Sequence, residues 1–435
     1  MSKQVSICVI GSGYVGLVAA VCFAEMGHQV TCVDNDEARV KLLCEGGVPI
    51  YESHLPELLA KHRGSRVEFT SDLATAVTRS EAIFIAVGTP QGDTGAADLS
   101  YVEAVVSAIS RSMTDYKVIV EKSTVPVYTN EWIVRVLHRY GVDSACFDVV
   151  SNPEFLREGT AVADSLNPDR IVVGSHNRQA AAQVADLFGD SGAPVVITDA
   201  TTAELIKYAS NAFLATKLTF INSMAGLCEA AGADVTDLVL GIGHDKRIGF
   251  EFLQPGPGWG GSCLPKDTCA LVNIAMSLDL DMKIVRAAIS GNDDQMERVI
   301  EKIKTAAGGT LEGRSIGVLG LSFKANTGDR RNSPAILITQ RLVDQGATVR
   351  AFDPTVNRGD AEAPDLLHLT VCESPYEAVD GTHAIALLTE WQEFLWLDFA
   401  RIREQVANPA IVDARNLWES GPLHHLGFSY SGIGR

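Results

Sequence analysis

The sequence lacks the cysteine and histidine patterns of disulfide-rich and zinc-binding proteins. Its nine cysteines are scattered, no CxxC pair occurs, and the ten histidines form no HxxxH or HxH motif with them. Scattered thiols are typical of reduced cytoplasmic proteins rather than of secreted disulfide scaffolds. Zinc sites usually need closely spaced Cys and His ligands, so we expect no metal.

Positive charge and long apolar runs are also scarce. The 36 lysine and arginine residues face 54 acidic ones, which gives a net charge of −18. So acidic a chain disfavours polyanions, and we expect no nucleic acid partner. No apolar run reaches membrane-spanning length and no secretory hydrophobic segment precedes the first strand, which predicts a cytoplasmic protein without a membrane partner.

Residues 5–36 have the pattern of a strand, a glycine turn, a helix and a second strand, VSICVIGSGYVGLVAAVCFAEMGHQVTCVDND. Gly11, Gly13 and Gly16 have the spacing of the dinucleotide fingerprint, which serves a tight turn, phosphate approach and helix–strand packing. Asp34 lies where an acid would bind the adenine ribose of NAD. The 2′-phosphate of NADP would have to lie at the same place. NAD is therefore favoured over NADP, with a purely structural turn as the alternative.

Further apolar segments that alternate with helices predict an α/β fold with a doubly wound parallel sheet. They are AIFIAV, KVIVEKST, FDVVSNPEF, RIVVGS and PVVITD. The pattern returns after Gly308-Gly309, and Asp353 stands where Asp34 stood. Because the second turn lacks GxGxxG spacing, we expect a second Rossmann-like domain without an intact dinucleotide site.

Two proline-free stretches, 201–231 and 282–306, separate these repeats and predict long buried helices, the first joining two domains or building a dimer interface. The predicted division is a Rossmann-like NAD-binding domain over 1–200, a central helical domain over 201–307, and a second Rossmann-like domain over 308–435. Such a length, with 46% hydrophobic residues, supports two or three cores.

The segment PGPGWGGSCLPKD, residues 255–267, surrounds one thiol with residues that stiffen the chain or lack side chains. Pro265 suits the first turn of a helix, which places Cys263 just ahead of the helix N-terminus. There the helix dipole and Lys266 favour a thiolate. We expect the cysteines outside this segment to be small buried hydrophobes, or in the case of Cys269 to lie inside the helix.

A hydride acceptor and a thiolate together predict an oxidation that continues past the aldehyde. An aldehyde has no suitable hydride until a nucleophile adds to its carbonyl carbon. Thiolate addition gives a thiohemiacetal, whose oxidation yields a thioester that water cleaves. The expected product is a carboxylate.

Seven segments across nearly the whole chain carry a family resemblance: GSGYVGL, VGTPQGDTGAADLSYV, KSTVPV, SNPEFLREG, ELIKYASNAF, RIGFEFLQPGPGWGGSCLPKD and FKANTGDRRNSPA. In these segments the chain resembles the UDP-glucose/GDP-mannose dehydrogenase family of nucleotide-sugar 6-dehydrogenases. The resemblance implies four-electron oxidation of UDP-glucose to UDP-glucuronate with two NAD per turnover. It also implies nucleotide-sugar binding by residues 308–435 and a homodimer, or a higher homo-oligomer, built on the long helix.

The resemblance further implies roles for individual residues. Cys263 would be the nucleophile, and Asp267 and Thr124 would position or activate water. Lys207, assisted by Asn211 on the same helix face, would stabilise the alkoxide and the thiohemiacetal oxyanion.

Three more groups of residues follow from the same resemblance. Glu154 and Glu158 would be acid and base partners. The NAD site would be formed by Gly11, Gly13, Tyr14, Val15, Gly16, Asp34, Arg39, Thr89, Thr124, Glu158, Lys266 and Arg331. The nucleotide sugar would be bound by Glu154, Phe155, Leu156, Lys207, Asn211, Arg247, Phe252, Leu253, Gly256, Gly260, Lys324 and Arg415, with Arg247 reaching the site of a neighbouring subunit.

One position departs from the family pattern KSTVPVG, because Tyr128 stands in place of its glycine. Tyrosine lacks glycine's backbone freedom, so we expect the turn near Thr124 to be reshaped.

Three alternatives stay open at this point. The same chemistry could act on another nucleotide sugar, such as GDP-mannose. The protein could be a two-electron dehydrogenase of the 3-hydroxyacid type with a structural Cys263. It could also be a non-catalytic NAD- or redox-sensing module in which Cys263 is an oxidisable switch.

Overall fold

The structure, a computed structural model, describes residues 4–90, 92, 97–189 and 191–435. The chain divides into two compact units. The first comprises the described residues up to Ser210 together with Cys269–Leu280, and the second comprises Asn211–Thr268 and Asp281–Arg435. Part of the predicted motif VGTPQGDTGAADLSYV, Gln91 and 93–96, lies outside the described residues. The three-domain division at 200 and 307 stays a prediction.

The first unit alternates strands and helices: β1 (Ser6–Ile10), α1 (Tyr14–Glu25), β2 (Gln29–Val33), α2 (Glu37–Glu45), α3 (Leu55–His62), β3 (Val67–Thr70), α4 (Leu73–Arg79), β4 (Ala82–Ile85), α5 (Ser100–Ser112), β5 (Lys117–Glu121), α6 (Thr129–Arg139), β6 (Phe147–Ser151), α7 (Ala161–Leu166), β7 (Ile171–Gly174), α8 (Arg178–Asp186) and β8 (Val195–Thr198). The strands form one sheet in the order β3-β2-β1-β4-β5-β6-β7-β8. The predicted α/β sheet is confirmed, and β3 is an addition to the predicted strands.

One strand pair departs from the predicted parallel arrangement. The β6 and β7 strands pair antiparallel, at Ser151 and Gly174, whereas the other neighbours in this sheet are parallel. Parallel neighbours need a crossover that returns the chain to the starting end of the sheet, usually through a full-length helix. The segment between β6 and β7, which contains the 6-residue helix α7, does not make that return, so β7 runs in the reverse direction.

Both faces of the first sheet are covered, as the alternation within β1 shows. Ile7 and Val9 pack with Phe23 in one core cluster, while Cys8 and Ile10 belong to a second cluster on the other face. Period-two alternation that is apolar on both sides is the pattern of a sheet with helices on each face. This arrangement exposes the carboxyl ends of the strands at one edge, where ligands bind in such folds.

Four helices follow the first sheet: α9 (Ala200–Ala231), α10 (Val235–Gly243), α11 (Leu264–Ser277) and α12 (Lys283–Ala306). The predicted helices at 201–231 and 282–306 are confirmed within one residue at each end. On one face of α9, Phe213, Phe220 and Leu227 are exposed in the single chain, so its burial in a dimer interface stays a prediction. Among the described residues, none of the helices combines the length and the apolar character needed to traverse a bilayer.

The second unit holds β9 (Ser315–Leu319), α13 (Pro334–Asp344), β10 (Thr348–Phe352), β11 (Leu369–Val371), α14 (Pro375–Val379), β12 (Ala384–Leu387), α15 (Phe399–Gln405), β13 (Ala410–Asp413), α16 (Ser420–His425) and β14 (Ser429–Ser431). Its strands form a parallel sheet in the order β11-β10-β9-β12-β13-β14. The second Rossmann-like fold is confirmed. The predicted final strand is wrong, however, because β14 follows it.

Asp353 follows β10 as Asp34 follows β2, but its carboxylate is buried within its own turn. It accepts the N–H groups of Leu321 and Ser322 at 2.8 and 2.9 Å and the indole N–H of Trp391 at 3.1 Å. A fully buried acid with these partners cannot meet a ribose. This agrees with the expectation that the second turn is not an intact dinucleotide site.

Candidate active site

The turn between β1 and α1 has the shape that a dinucleotide phosphate needs. A side chain at Gly16 would lie 1.9 Å from the carbonyl oxygen of Gly11, so helix and strand approach too closely for any other residue. At Gly13, by contrast, an added Cβ would meet nothing within 4 Å. The α1 helix has no side-chain cap, and its N–H groups therefore suit an anion. Val15 lies half-buried in the first turn of this helix.

Asp34 lies against the same turn. Its carboxylate accepts the N–H and the hydroxyl of Ser12 at 2.7 and 2.6 Å, and Arg39 lies 3.9 Å away. Burial alone would raise the pKa of Asp34, but these hydrogen bonds and Arg39 outweigh it and hold the pKa below its usual value. The acid is therefore ionised, and a carboxylate has acceptor sites left for a ribose diol.

Tyr14 links this turn to the loop after β6. Its hydroxyl donates to Glu52, and the N–H of Gly159 lies 2.7 Å from the Glu52 carboxylate and 2.8 Å from the tyrosine oxygen. Burial and the Glu52 carboxylate raise the pKa of Tyr14 well above its usual value. Nothing in the segment around Glu52 signals this contact from sequence.

A buried ion pair, Glu154 with Lys207, lies at the carboxyl edge of the first sheet. The two residues are 6% and 3% exposed, and Lys207 Nζ donates to Glu154 Oε1 at 2.9 Å. The second carboxylate oxygen accepts the N–H of Leu156 at 2.6 Å. Burial alone would raise the pKa of Glu154, but the Lys207 charge and the hydrogen bonds hold it below its usual value. Glu154 is thus a proton acceptor rather than a donor at neutral pH.

The ring of Phe155 contacts two cations, Arg170 and the Lys207 of this pair. The guanidinium of Arg170 lies 3.8 Å from the ring centroid and Lys207 Nζ lies 5.6 Å from it, within reach of cation–π attraction. Leu156 and Glu158 follow in the same irregular loop, both half-buried. Because this loop is not helical, Glu154 and Glu158 do not share a helix face, although they lie four residues apart.

Lys122 is a second buried cation at this edge, and sequence reasoning missed it. Its Nζ donates to Asn152 Oδ1 at 3.0 Å. Burial lowers the pKa of Lys122 to about 8, although the charges of Glu154 and Glu121 oppose this shift. A lysine that directly follows the apolar strand β5 was the available signal.

Thr124 belongs to the loop between β5 and α6. Its carbonyl oxygen accepts the hydroxyl of Thr89 at 2.7 Å. The loop ends at Tyr128, whose φ of 70° is in the left-handed region. The expectation of a reshaped turn is not met at this residue, because Tyr128 adopts the conformation that glycine favours. The loop lines a cleft of the first unit formed by Glu121, Ser123, Thr124, Val125, Ser151, Pro153, Glu204 and Lys207.

In the second unit, Cys263 directly precedes α11. The N–H of Asp267 bonds to the carbonyl oxygen of Cys263 at 2.9 Å, which closes the first turn of the helix. The thiol is half-buried, with Ser262 Oγ 3.5 Å from the sulfur. The predicted place at the helix N-terminus is confirmed, and there the dipole favours a thiolate. Among the other cysteines, Cys44 is exposed and Cys146 is half-buried, contrary to expectation.

Asp267 is fully buried between two donors. Asn211 Nδ2 donates to one carboxylate oxygen at 2.6 Å, and Lys266 Nζ donates to the other at 2.7 Å. The second unit thus brings together four predicted residues, counting Cys263 one helical turn away. Lys266 is paired with Asp267, so its positive charge does not act on the thiol alone.

Buried amide side chains hold the glycine-rich loop, a contact that sequence reasoning missed. Asn292 accepts the N–H of Trp259 at 2.8 Å and donates to its carbonyl oxygen at 2.9 Å. Asn222 accepts the N–H of Gly256 at 2.9 Å, and Gln295 donates to the Gly256 carbonyl oxygen at 2.7 Å. The loop is therefore a rigid main-chain structure fixed by α9 and α12. For Asn222 the available signal was an amide within an apolar stretch of α9, whereas Asn292 and Gln295 lie in a polar stretch of α12 and carry no such signal.

Three residues near this loop, Gly260, Phe252 and Leu253, were predicted to bind the substrate, and the structure gives each a different backbone or packing role. A side chain at Gly260 would lie 2.1 Å from the carbonyl oxygen of Asn332, so the close approach requires glycine. Phe252 has a left-handed φ of 61°. Leu253 packs in the core of the second unit, so only its main chain could meet a ligand.

The predicted basic residues of the second unit all have protein contacts. Arg415 donates to the carbonyl oxygens of Leu388 and Phe323 at 2.9 and 2.8 Å, which aims its guanidinium. The other contacts are Lys324 with the ring of Phe323, Arg247 with Asp245, and Arg331 with Asp329. Pairs at such exposed arginines are weak, and a phosphate can replace them. Within the described ranges, no cluster of three His, Cys, Asp or Glu side chains could hold a metal ion.

Three models of one protein family match nearly the whole chain. For the UDP-glucose/GDP-mannose dehydrogenase family, the NAD binding domain matches residues 5–191, the central domain 201–294 and the UDP binding domain 317–420. The chain belongs to this family. Its cofactor is NAD, which agrees with the open turn at Gly13 and the ionised Asp34.

Individual relatives place the chain within the family. A UDP-glucose 6-dehydrogenase of Rhizobium meliloti (strain 1021) is 46% identical over 99% of both chains. Among solved structures, a UDP-glucose dehydrogenase from Pyrobaculum islandicum is 36% identical with a TM-score of 0.91, covering 100% of this chain and 98% of that one. A UDP-D-ManNAc dehydrogenase from Pyrococcus horikoshii is 27% identical with a TM-score of 0.86, covering 99% of both. The family fold therefore serves more than one sugar.

Proposed function

We propose that this protein oxidises UDP-glucose to UDP-glucuronate. The single observation that carries the proposal is the half-buried thiol of Cys263 at the N-terminus of α11, in a chain with an NAD-binding turn. One sugar alcohol, two NAD⁺ and one water give one carboxylate, two NADH and three protons. The relatives named for UDP-glucose support this substrate over GDP-mannose. Family membership supports a dehydrogenase over a redox sensor.

The first oxidation converts the primary alcohol of the sugar to an aldehyde. When bound, NAD supplies the hydride acceptor. A base must take the hydroxyl proton, and Glu154 suits this role because it is ionised and lies at 2.9 Å from Lys207. The ammonium of Lys207 stabilises the negative charge that develops on the alcohol oxygen. Glu158 is proposed to share the acid and base work.

The second oxidation needs the thiol. The thiolate of Cys263 adds to the aldehyde carbon, a C–S bond forms, and the carbonyl electron pair moves to oxygen. Lys207 and Asn211 stabilise that oxyanion. Loss of the second hydride from the same carbon leaves a thioester.

Hydrolysis releases the product. Water adds to the thioester carbon, the C–S bond breaks, and the thiolate departs with the bonding electrons. Asp267, held between Asn211 and Lys266, positions this water together with Thr124. A carboxylate fixed by two donors keeps one orientation, which lowers the entropy cost of the attack.

Binding roles follow the same proposal. We infer that the cofactor- and substrate-binding residues named from the resemblance act as stated there, and that the chain has the three domains predicted from its sequence. A cytoplasmic location is proposed as well, because the reaction needs NAD, a nucleotide sugar and a reduced thiol.

A substrate panel tests the proposed function. We expect UDP-glucose to give the highest kcat/KM among UDP- and GDP-sugars, with an end point of two NADH per UDP-glucose, because the thioester route transfers two hydrides. NADH is followed by its absorbance and the sugar is made limiting. An end point of one NADH per sugar would reject the thioester route. Preference for another nucleotide sugar would overturn the substrate while leaving the mechanism.

We also propose that the protein is a homodimer that buries one face of α9. Phe213, Phe220 and Leu227 are 66%, 52% and 58% exposed and recur every seven residues, so they form one apolar stripe along the helix. Aligned apolar side chains of this kind mark interaction surfaces.

Light scattering after size exclusion tests the dimer. We expect wild type at twice the 46.5 kDa of the chain and Phe220→Glu at or near the monomer mass, because a buried unpaired carboxylate opposes association. Leu367→Glu is the matched control, since Leu367 is 50% exposed and belongs to the segment before β11 rather than to α9. A monomeric wild type, or a fully dimeric Phe220→Glu, contradicts the proposal.

A further inference from the structure

We propose that Glu204 is a positioning residue of the reaction, which holds the main chain of Tyr128 and Asn130 and thereby fixes the loop that carries Thr124. The inference rests on the proposed function, in which Thr124 helps to place the hydrolytic water. Glu204 itself is assigned no contact with substrate or cofactor.

The geometry ties one helix to the start of another. Glu204 lies on α9, 3% exposed, one turn before Lys207. One carboxylate oxygen accepts the N–H of Tyr128 at 2.7 Å, and the other accepts the N–H of Asn130 at 2.8 Å. These N–H groups belong to the first turn of α6, which has no cap from the Tyr128 side chain. Glu204 therefore caps α6 from a different helix.

The loop so held is short and strained at its end. Tyr128 has a φ of 70°, which is unfavourable for a residue with a side chain. Its ring is exposed and does not anchor the turn, whereas its N–H is bound by Glu204. At the other end of the loop, the Ser123 hydroxyl donates to the Val87 carbonyl oxygen at 2.8 Å. Thr124 thus lies between two fixed points and lines the same cleft as Glu204 and Lys207.

The charge of Glu204 is sensitive to pH near neutrality. Burial raises its pKa to about 7, although the N–H groups of Asn130 and Tyr128 lower it. Further negative charge comes from Glu131 on α6 and from Asp199 at the start of α9, and both raise the pKa. Lys207 on α9 and Glu121 on β5 line the same cleft.

The sign of the effect follows from these groups. Above about pH 7 the ionised carboxylate accepts both N–H groups through charge-assisted bonds. Below that pH a protonated oxygen is a poorer acceptor, so the loop is held less firmly. Between the usual carboxyl pKa of 4.5 and about 7, the folded chain keeps a proton that the unfolded chain releases. This group's contribution to folding stability therefore falls as the pH rises through that window.

Glu204→Gln tests the proposal because it keeps the size of the side chain and replaces one acceptor oxygen with an amide donor. We expect kcat with the best nucleotide sugar to fall by about 10-fold to 10²-fold, since a catalytic group that moves by an ångström loses that much. In wild type, ionisation of Glu204 should contribute an increase in kcat as the pH rises through about 7. This contribution should be absent from Glu204→Gln.

Two further variants make the result specific. Glu204→Asp keeps the charge and should recover part of kcat and of the pH dependence. Glu131→Gln is the matched control, because Glu131 lies half-buried in the first turn of α6 and pairs with Arg135. It changes the charge at the same helix end without contacting the held N–H groups, and its kcat well above pH 7, where Glu204 is ionised in both proteins, should match wild type.

Amide hydrogen exchange of wild type provides a readout independent of any substrate. In a local opening that breaks the two N–H bonds but leaves Glu204 buried, the ionised carboxylate loses more than the protonated one, because these N–H groups lower its pKa. After correction for intrinsic rates, protection at the start of α6 against such openings should therefore increase as the pH rises through 7. Unchanged kcat and pH profile in Glu204→Gln, with only a lower Tm, would mean a structural cap and overturn the proposal. If that variant does not fold, an unaltered kcat in Glu204→Asp together with pH-independent protection overturns it equally. Failure of the proposed function shows separately, as the wrong NADH end point in wild type.

Discussion

Cys263→Ala is expected to lower the rate of complete oxidation of UDP-glucose by at least about 10⁴-fold, the scale of loss when a covalent nucleophile is removed. The variant should still bind NAD and UDP-glucose, because the loop main chain is held by Asn292, Asn222 and Gln295 rather than by the thiol. The end point should fall from two NADH per sugar to at most one. Stopped-flow absorbance with limiting sugar measures both quantities.

The physical reason lies in the second oxidation. The first hydride leaves from an alcohol carbon and needs a base, which the thiol does not supply. The second can leave only after a nucleophile has added to the aldehyde, and alanine adds nothing. The half-buried sulfur at the N-terminus of α11 is placed where a thiolate is favoured by the helix dipole.

A matched control lies on the same helix. Cys269 is also half-buried and has no proposed part in the reaction. Cys269→Ala should therefore keep kcat within about twofold and the end point of two NADH. Should Cys263→Ala still produce two NADH per sugar at a rate near wild type, the thioester mechanism is wrong.

Lys207→Met is expected to reduce kcat by about 10² to 10³-fold, as loss of an oxyanion-stabilising donor does elsewhere. It should also lower the free energy of unfolding by about 3–5 kcal/mol, because Glu154 would remain buried without its ammonium partner. Urea denaturation and steady-state kinetics measure the two effects. The double variant Lys207→Met with Glu154→Gln should regain part of the stability, but not the activity.

The stability loss should depend on pH with a definite sign. In wild type the pKa of Glu154 lies below 4.5, so the pair stabilises the fold above that pH and loses its effect as the pH falls through the lowered pKa. Without Lys207, burial is opposed by fewer favourable charges and the pKa of Glu154 rises. The difference between wild type and Lys207→Met should therefore be largest at neutral pH and should shrink in acid.

Lys117 offers the control for a buried lysine that is not catalytic. It is 1% exposed, bonds to Asp115 at 2.7 Å, and lies at the opposite end of β5 from Thr124. Lys117→Met should destabilise the fold while leaving kcat near wild type. Equal kcat losses in Lys117→Met and Lys207→Met would show that the second effect is only structural.

Some site residues were accessible from sequence because their signals are local. The glycine turn follows from the spacing of Gly11, Gly13 and Gly16, and the place of Cys263 follows from Pro265 two residues later. Each of these rules acts within one turn of chain, where backbone geometry and helix capping are decided. The structure accordingly confirms both features.

Other residues were out of reach because their partners are distant in sequence. Glu204 meets Asn130 across 74 positions, and Asn292 meets Trp259 across 33. Such contacts depend on how helices dock on a sheet, which local pattern does not encode. Tyr128 illustrates the limit, since its left-handed backbone is unexpected from its own side chain and is explained once Glu204 is seen to hold its N–H.

The sequence by itself determined the two α/β repeats, the NAD turn, the long helices and the thiol at a helix start, because hydrophobic period and glycine and proline geometry act over a few residues. Only the tertiary structure decided the reversed direction of β7, the burial of Asp353, the Glu154–Lys207 pair and the cap that Glu204 forms on α6. These features arise from the closest packing of elements far apart in the chain, and from the rule that buried charges and N–H groups must find partners.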